Sequence, residues 1–227
     1  MDFVAGARAA RGIAVIIDVL RASSVACGAI ASGAERVIPV GPAEEALELK
    51  RAHPEFFAVG ERYGRRLAGF DCGNSPTELS RFDLRGKTVV HTTHGGTQGL
   101  INAVNADVVL AGSLVNAGAV CRYILGLAPE RVSIVRMGVE ATTPSEADDV
   151  CAELLVARLR GEPFDAESIR ARLRNSPEGQ KFLDPGADCA PPEDFEFCAS
   201  LDRFDLVLRL DRCPEGMRAL VPVDWGD

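Results

Sequence analysis

The sequence has no Cys-x-x-Cys pair. Its seven cysteines (Cys27, Cys72, Cys121, Cys151, Cys189, Cys198 and Cys213) are odd in number and scattered. They suggest neither a zinc site nor a disulfide framework, and buried, reduced thiols in a cytoplasmic protein are the expectation. No apolar stretch is long enough to cross a bilayer. The N-terminal Met1-Asp2-Phe3-Val4-Ala5 lacks the basic-then-apolar order of a signal peptide. Positive charge is in deficit, with 25 Lys and Arg against 33 Asp and Glu for a net charge of −8. That balance argues against a general nucleic-acid surface, so an anionic ligand would need cations concentrated at its own site. The Gly-Lys-Ser/Thr ending of the nucleotide P-loop is absent, as is the glycine fingerprint of dinucleotide binders. No second histidine sits at ligand spacing from His94.

What is present is an ordinary globular composition. The 227 residues are 47% apolar and 26% charged, enough for one large α/β domain or two small ones with a real core. The strongest local signal is Ile13-Ala14-Val15-Ile16-Ile17, an uninterrupted apolar run that reads as a strand buried on both faces. It ends on Asp18, followed by Arg21, Ser23 and Ser24. A small-residue helix is expected from Ala22 to Ser32, stopping at Gly33. Charged residues at the carboxyl end of a buried strand lie where open α/β sheets place ligands. A capping role explains Asp18 or Ser23 singly, but not the whole group.

The same device recurs along the chain. Arg36 to Val40 reads as a short strand, with Pro39 marking an edge or a strand end. Phe56 to Val59 runs into Gly60-Glu61-Arg62-Tyr63-Gly64-Arg65-Arg66. This is either a loop offering a carboxylate to a metal and guanidinium groups to an anion, or a solvated charged loop. Gly69 to Pro76 is rich in turn residues, with Asp71 and Asn74 as candidate site residues. The strand Lys87 to Thr92 leads into Thr92-Thr93-His94-Gly95-Gly96-Thr97, whose hydroxyls and glycines before a helix suit an oxyanion. Val108 to Ala111 ends at Gly112-Ser113, and a helix follows from about Asn116. Val132 to Val135 ends near Glu140. Ser145 is then expected to cap a helix from Glu146 to Leu159, with Asp148 completing a capping box. Two charged helices (Ala166 to Arg174 and Glu193 to Leu201) and a hairpin (Asp205 to Leu210 with Arg218 to Val223) close the chain without an evident catalytic cluster.

These features predict a layered α/β/α domain on a largely parallel or mixed sheet. Residues 1–160 form the core that carries the site motifs. Residues 161–227 add helices and a hairpin packed on it. The polar strand ends would converge on one rim. Carboxylates, arginines, hydroxyls and glycine amides suit Mg²⁺ and a phosphate ester rather than zinc or a redox cofactor.

Ile17-Asp18-Val19-Leu20-Arg21-Ala22-Ser23, Gly60-Glu61-Arg62, Gly69 through Pro76, Thr92-Thr93 with Gly96-Thr97, Gly112 through Ala117, and an acidic pair at Asp149 occur in fixed order. Together they resemble the 2-phosphosulfolactate phosphatase family from about Ile13 to Leu155. The resemblance continues more weakly through Ser176-Pro177-Glu178-Gly179 and Phe195 to Ala199. It implies an unusual α/β fold and a Mg²⁺-dependent hydrolase. The implied substrate is (2R)-O-phospho-3-sulfolactate, cleaved to 3-sulfolactate and phosphate on the route to coenzyme M. The catalytic residues it implies are Asp18, Arg21, Glu61 and Asp71. Substrate contacts fall to Ser23, Ser24, Arg62, Asn74, Ser75, Thr92, Thr93, Gly95, Gly96, Thr97, Ser113 and Asn116. Metal ligands fall to Asp18, Glu61, Asp71 and Asp149. The chain departs from the usual pattern at His94 (a threonine), Gly95 (an asparagine) and Tyr63 before Gly64, and it has Asp148-Asp149 for the usual Glu-Asp. Those departures bear on substrate identity more than on reaction class.

Metal-assisted attack by water is the expected chemistry. A covalent role for Asp18 is the competing one, but the second aspartate expected two residues on is Leu20. The partner is a small anionic phosphoester, with neither nucleic acid nor membrane, and a homo-oligomer remains open. Two other readings stand beside it: a phosphatase of the same fold for another phosphorylated hydroxy acid, and a non-catalytic anion- or metal-binding relative.

Overall fold

Residue alternation in one strand explains the layering. In a computed structural model that describes residues 1–184, 186–213 and 216–224, β1 (Ile13–Ile17) is buried at every position. Ala14 and Ile16 face one apolar cluster; Ile13, Val15 and Ile17 face another. The other strands are β2 (Arg36–Pro39), β3 (Phe57–Arg62), β4 (Arg65–Arg66), β5 (Thr88–Thr92), β6 (Val108–Gly112), β7 (Val132–Arg136), β8 (Leu208–Arg212) and β9 (Arg218–Pro222). They form a single sheet in the order β4-β3-β5-β2-β9-β8-β6-β1-β7. The pairs β3/β5, β5/β2, β6/β1 and β1/β7 are parallel, while β4, β8 and β9 join antiparallel. The sheet is therefore mixed, and the fold is layered α/β.

The helices are α1 (Phe3–Ala9), α2 (Ala22–Ala31), α3 (Ala43–Ala52), α4 (Pro76–Leu79), α5 (Gly96–Asn102), α6 (Ala117–Leu127), α7 (Glu146–Arg160), α8 (Ala166–Asn175), α9 (Pro177–Lys181) and α10 (Pro192–Cys198). Residues of α1, α2, α4 and α5 pack on one face of β1 and its neighbours, and residues of α6, α7, α8 and α10 on the other. None of the described helices is long and apolar enough to cross a membrane.

The C-terminal hairpin does not sit outside the sheet. β8 and β9 are inserted between β6 and β2. Pro214 and Glu215 of its turn lie outside the described residues. Pro39 closes the inner strand β2, where its missing N–H falls at the strand end.

Candidate active site

The parallel strands direct their carboxyl ends to one rim, and a cavity of about 390 Å³ opens there. Of the residues singled out from the sequence, Asp18, Arg21, Glu61, Asn74, Thr93 and Gly95 line it. The structure adds Asp148, Ser145, Glu178, Lys181, Phe182, His94 and Tyr63, among others.

Asp18 is 7% exposed. Its Oδ1 accepts the Ala22 N–H of α2 (3.0 Å) and its Oδ2 accepts the Gly96 N–H of α5 (2.6 Å). It thus holds the first N–H of α2, the capping role open to it from the sequence, and also fastens α5 to the end of β1. This approach is close enough that a Cβ on Gly95 would lie 2.7 Å from Asp18 Oδ2, so glycine is what lets the loop reach the carboxylate. Glu61 plays the parallel part on the other side. Its Oε1 accepts the His94 N–H (3.1 Å) and its Oε2 the Gly64 N–H (2.8 Å). The 92–97 loop, read from sequence as an anion cradle, therefore has amides committed to the protein's own carboxylates. It orients Asp18 and Glu61.

Asp148, expected as part of a capping box, does something else. Ser145 stands at the N-cap position of α7 but its side chain makes no cap bond. It donates instead to Glu178 Oε1 (2.7 Å), which also accepts the Ala147 N–H. Asp148, released from that duty, reaches across the rim. Its Oδ1 accepts the Val19 N–H (2.9 Å) and its Oδ2 the Gly138 N–H (2.7 Å). Burial first, and then the Asp18 charge, push the Asp148 carboxyl up to about 8. Burial chiefly, with a smaller push from Glu61, raises Asp18 to about 6, against the lowering effect of its two backbone donors. Asp18, Glu61 and Asp148 share this cavity with Glu140 and Glu178, and like charges there disfavour full ionisation.

The cations on the wall are Arg21 and Lys181. Arg21 is buried, and its Nη1 donates to Asp194 Oδ2 (2.6 Å). Its guanidinium carbon lies 5.4 Å from the centre of the Phe182 ring. His94 meets Tyr63 edge-on at 4.9 Å between ring centres, and its Nδ1 is enclosed without a partner. Behind the wall, Asn74 Oδ1 lies 3.0 Å from His91 Nε2, and burial lowers the His91 imidazole to about 4. His91 is therefore neutral and Asn74 is fixed as its partner.

The remaining candidates lie off the wall. Asp71 pairs with Lys50 and accepts the Ala58 N–H. Asp149 pairs with Arg136 (2.8 Å) on the far flank of α7. Neither carboxylate lines the cavity. Ser23 Oγ donates to the Ile16 carbonyl, while Ser24 bonds the Val19 carbonyl and Ser113 Oγ. Ser113 and Asn116 close a capping box before α6. Arg62 and Thr92 both donate to the Gly41 carbonyl. Thr97 Oγ1 accepts the Thr93 N–H, and Ser75 Oγ donates to Asp194. These polar groups support the rim from beneath or beside it.

The C-terminal segment held no visible cluster in the sequence, yet Glu178, Lys181, Phe182, Cys189 and Ala190 all line the cavity. They come from short turns and helices with no common spacing, so only tertiary packing gathers them.

A cavity at the carboxyl ends of the parallel strands, lined by carboxylates with Arg21 and Lys181, is the candidate small-ligand site of this α/β fold. A sequence model of the 2-phosphosulpholactate phosphatase family matches residues 4–212. The chain belongs to that family, and so is a phosphatase, a phosphoric monoester hydrolase. A probable 2-phosphosulfolactate phosphatase of Caldanaerobacter subterraneus subsp. tengcongensis is 33% identical over 219 residues, 86% of either chain. One from Carboxydothermus hydrogenoformans is 34% identical over 217 residues, covering 89% of this chain and 85% of that one. One from Symbiobacterium thermophilum is 38% identical over 158 residues, 69% and 67% of the two chains.

Proposed function

We propose that this protein removes phosphate from (2R)-O-phospho-3-sulfolactate with the help of Mg²⁺. The observation that carries the reading is the rim itself: Asp18, Glu61 and Asp148 on one wall, with Arg21 and Lys181 facing the same cavity. The relatives' names, probable 2-phosphosulfolactate phosphatases, support the substrate. Its three acidic groups call for the cations that the wall offers.

The donor set fits a hard cation, since Asp18, Glu61 and Asp148 supply only oxygen. Among the described residues no three acidic, histidine or cysteine side chains converge on one point. Mg²⁺ is ordinarily held by one or two carboxylates, completed by water and substrate phosphate, and this wall can provide that much. Bound there, the ion would polarise the phosphoryl group and offset its charge. The chain's own groups do the rest. Arg21 meets phosphoryl or acid oxygens with a planar fork. Asp148, whose two oxygens hold the Val19 and Gly138 N–H groups, fixes the loops of the rim around the cavity. Both Asp18 oxygens already accept backbone N–H groups, which supports water rather than Asp18 as the attacking group.

The test is phosphate release with Mg²⁺ from a panel containing 2-phosphosulfolactate, 2-phospholactate and an aryl phosphate. Preference for the sulfonated ester is the expected result. Equal rates with phospholactate would assign the enzyme to another phosphorylated hydroxy acid, and no release from any member would leave only binding. Within the same assay Arg21→Lys should lower kcat/KM on the order of tenfold, or ~1.4 kcal/mol. Lysine keeps the charge but cannot keep the Asp194 contact and a two-pronged grip together. Normal turnover in a folded Arg21→Lys protein would make Arg21 structural only.

A further inference from the structure

We propose that Asp194 is a positioning residue for Arg21, so that α10, at the far end of the chain from β1, fixes how the cavity grips its anion. This rests on the phosphoester reading of the site. Asp194 does not line the cavity and is fully buried, at 0% exposure. Its carboxylate is saturated from three directions. Oδ2 accepts Arg21 Nη1 (2.6 Å), and Oδ1 accepts Ser75 Oγ and the Thr77 N–H (2.9 Å each). Ser75 and Thr77 belong to the start of α4, so Asp194 ties α10, α4 and the residue that precedes α2 into one knot.

Arg21 is thereby held on several sides. One nitrogen is bound to Asp194, Nη2 lies 3.5 Å from the Gly64 carbonyl, and the Phe182 ring supports the plane. A guanidinium has five N–H donors in a rigid fork. Anchoring Nη1 leaves donors of known direction on the side of the cavity that Arg21 lines. A buried ion pair is a poor way to gain stability alone, since apolar residues of similar volume often do as well. Its placement directly behind a cavity arginine gives this pair a use in orientation. No local sequence signal marks Asp194, because 173 residues separate it from its partner.

The test is a double-mutant cycle of Asp194→Asn and Arg21→Lys, read by calorimetric binding of inorganic phosphate and by kcat/KM on the esters above. Asp194→Asn in the chain with Arg21 should weaken phosphate binding and lower kcat/KM by about tenfold, because the fork loses its direction. In the Arg21→Lys background the same change should alter either quantity by less than about twofold. Equal losses in both backgrounds would overturn the proposal, because they would show a general structural effect. Ser75→Ala serves if Asp194→Asn does not fold. It removes one donor to Asp194 and the Ser75 cap on the Glu78 N–H of α4, and leaves the ion pair in place. It should weaken phosphate binding about threefold, and only where Arg21 is present; equal losses would again refute the role. Phosphate binding reads positioning without turnover, so a wild-type protein that binds phosphate but cleaves none of the esters would defeat the phosphatase reading while leaving this test intact.

Discussion

Asp18→Asn should abolish phosphate release, with kcat falling on the order of a thousandfold, or ~4 kcal/mol, while the protein stays folded. The carboxylate stands on the cavity wall at the end of the most deeply buried strand. Asparagine keeps its size and one carbonyl. Stability should respond in a pH-dependent way. Both carboxylate oxygens accept backbone N–H groups, from Ala22 and from Gly96. An amide can accept only one of them, and an unsatisfied buried donor costs about 1–3 kcal/mol. The melting temperature should therefore drop by several degrees at acid pH. Asp18 is raised from 3.8 to about 6 mainly by burial, so the folded wild type loses stability as pH rises from about 4 through about 6. Asparagine does not ionise, and the gap between variant and wild type should narrow from pH 5 to pH 8. Measuring phosphate release and thermal unfolding on the same preparations decides the matter. A folded Asp18→Asn protein with normal turnover would remove the anchor from the proposed mechanism.

Stripping divalent metal should have an equally large effect. EDTA is expected to abolish phosphate release and Mg²⁺ to restore it; full activity in the chelator would refute metal assistance. Stability supplies an independent reading. In the metal-free protein Asp18 and Asp148 are raised from 3.8 to about 6 and about 8 by burial, with the Asp18 charge adding to Asp148. A raised carboxyl binds its proton more tightly in the folded chain than in the unfolded one. Its stabilising contribution is complete below about pH 4 and is lost as pH climbs through 6 and then 8. The melting temperature without metal should therefore decline from pH 5 to pH 9. Mg²⁺ at millimolar concentration should raise it more at pH 8 than at pH 5, because only ionised carboxylates attract the ion. A Mg²⁺ effect that is equal at both values, or larger at pH 5, would mean that these carboxylates are not its ligands.

The parts of this site that were legible in the sequence are those in which chemistry and scaffold adjoin. Ile13 to Ile17 and Asp18 are contiguous, so one apolar run both predicts the strand and locates its carboxylate. Thr93 follows β5 in the same way, and Glu61 stands within β3 itself, next to its final residue Arg62. Asp148 and Asp149 show where local reading fails. Neighbours on a helix point about 100° apart, and nothing in the pair itself says which faces the rim. The capping expectation for Asp148 failed because two backbone amides from other loops, Val19 and Gly138, offered it better partners than its own helix. Asp71 was drawn toward a helix lysine and the Ala58 amide, a contact that loop composition does not encode. Lys181, Glu178 and Asp194 belong to segments whose charges resemble any solvated face until α9 and α10 fold against the rim. The hairpin was legible as a hairpin from its two strands, but its place inside the sheet was not, since strand order is set by long-range pairing.

That place in the sheet bears on how the protein is made. β4-β3-β5-β2 and β6-β1-β7 are two separate ladders, joined only through β8 and β9. Asp18 belongs to one ladder, while Glu61 and the 92–97 loop belong to the other. A chain emerging from the ribosome carries both halves of the rim long before residues 208–222 arrive to bridge them. Until then the edges of β2 and β6 stand open, each a ready template for the wrong strand. Within the sheet, the two ladders that carry the acidic wall are thus bridged by the segment that leaves the ribosome last and bears no chemistry of its own.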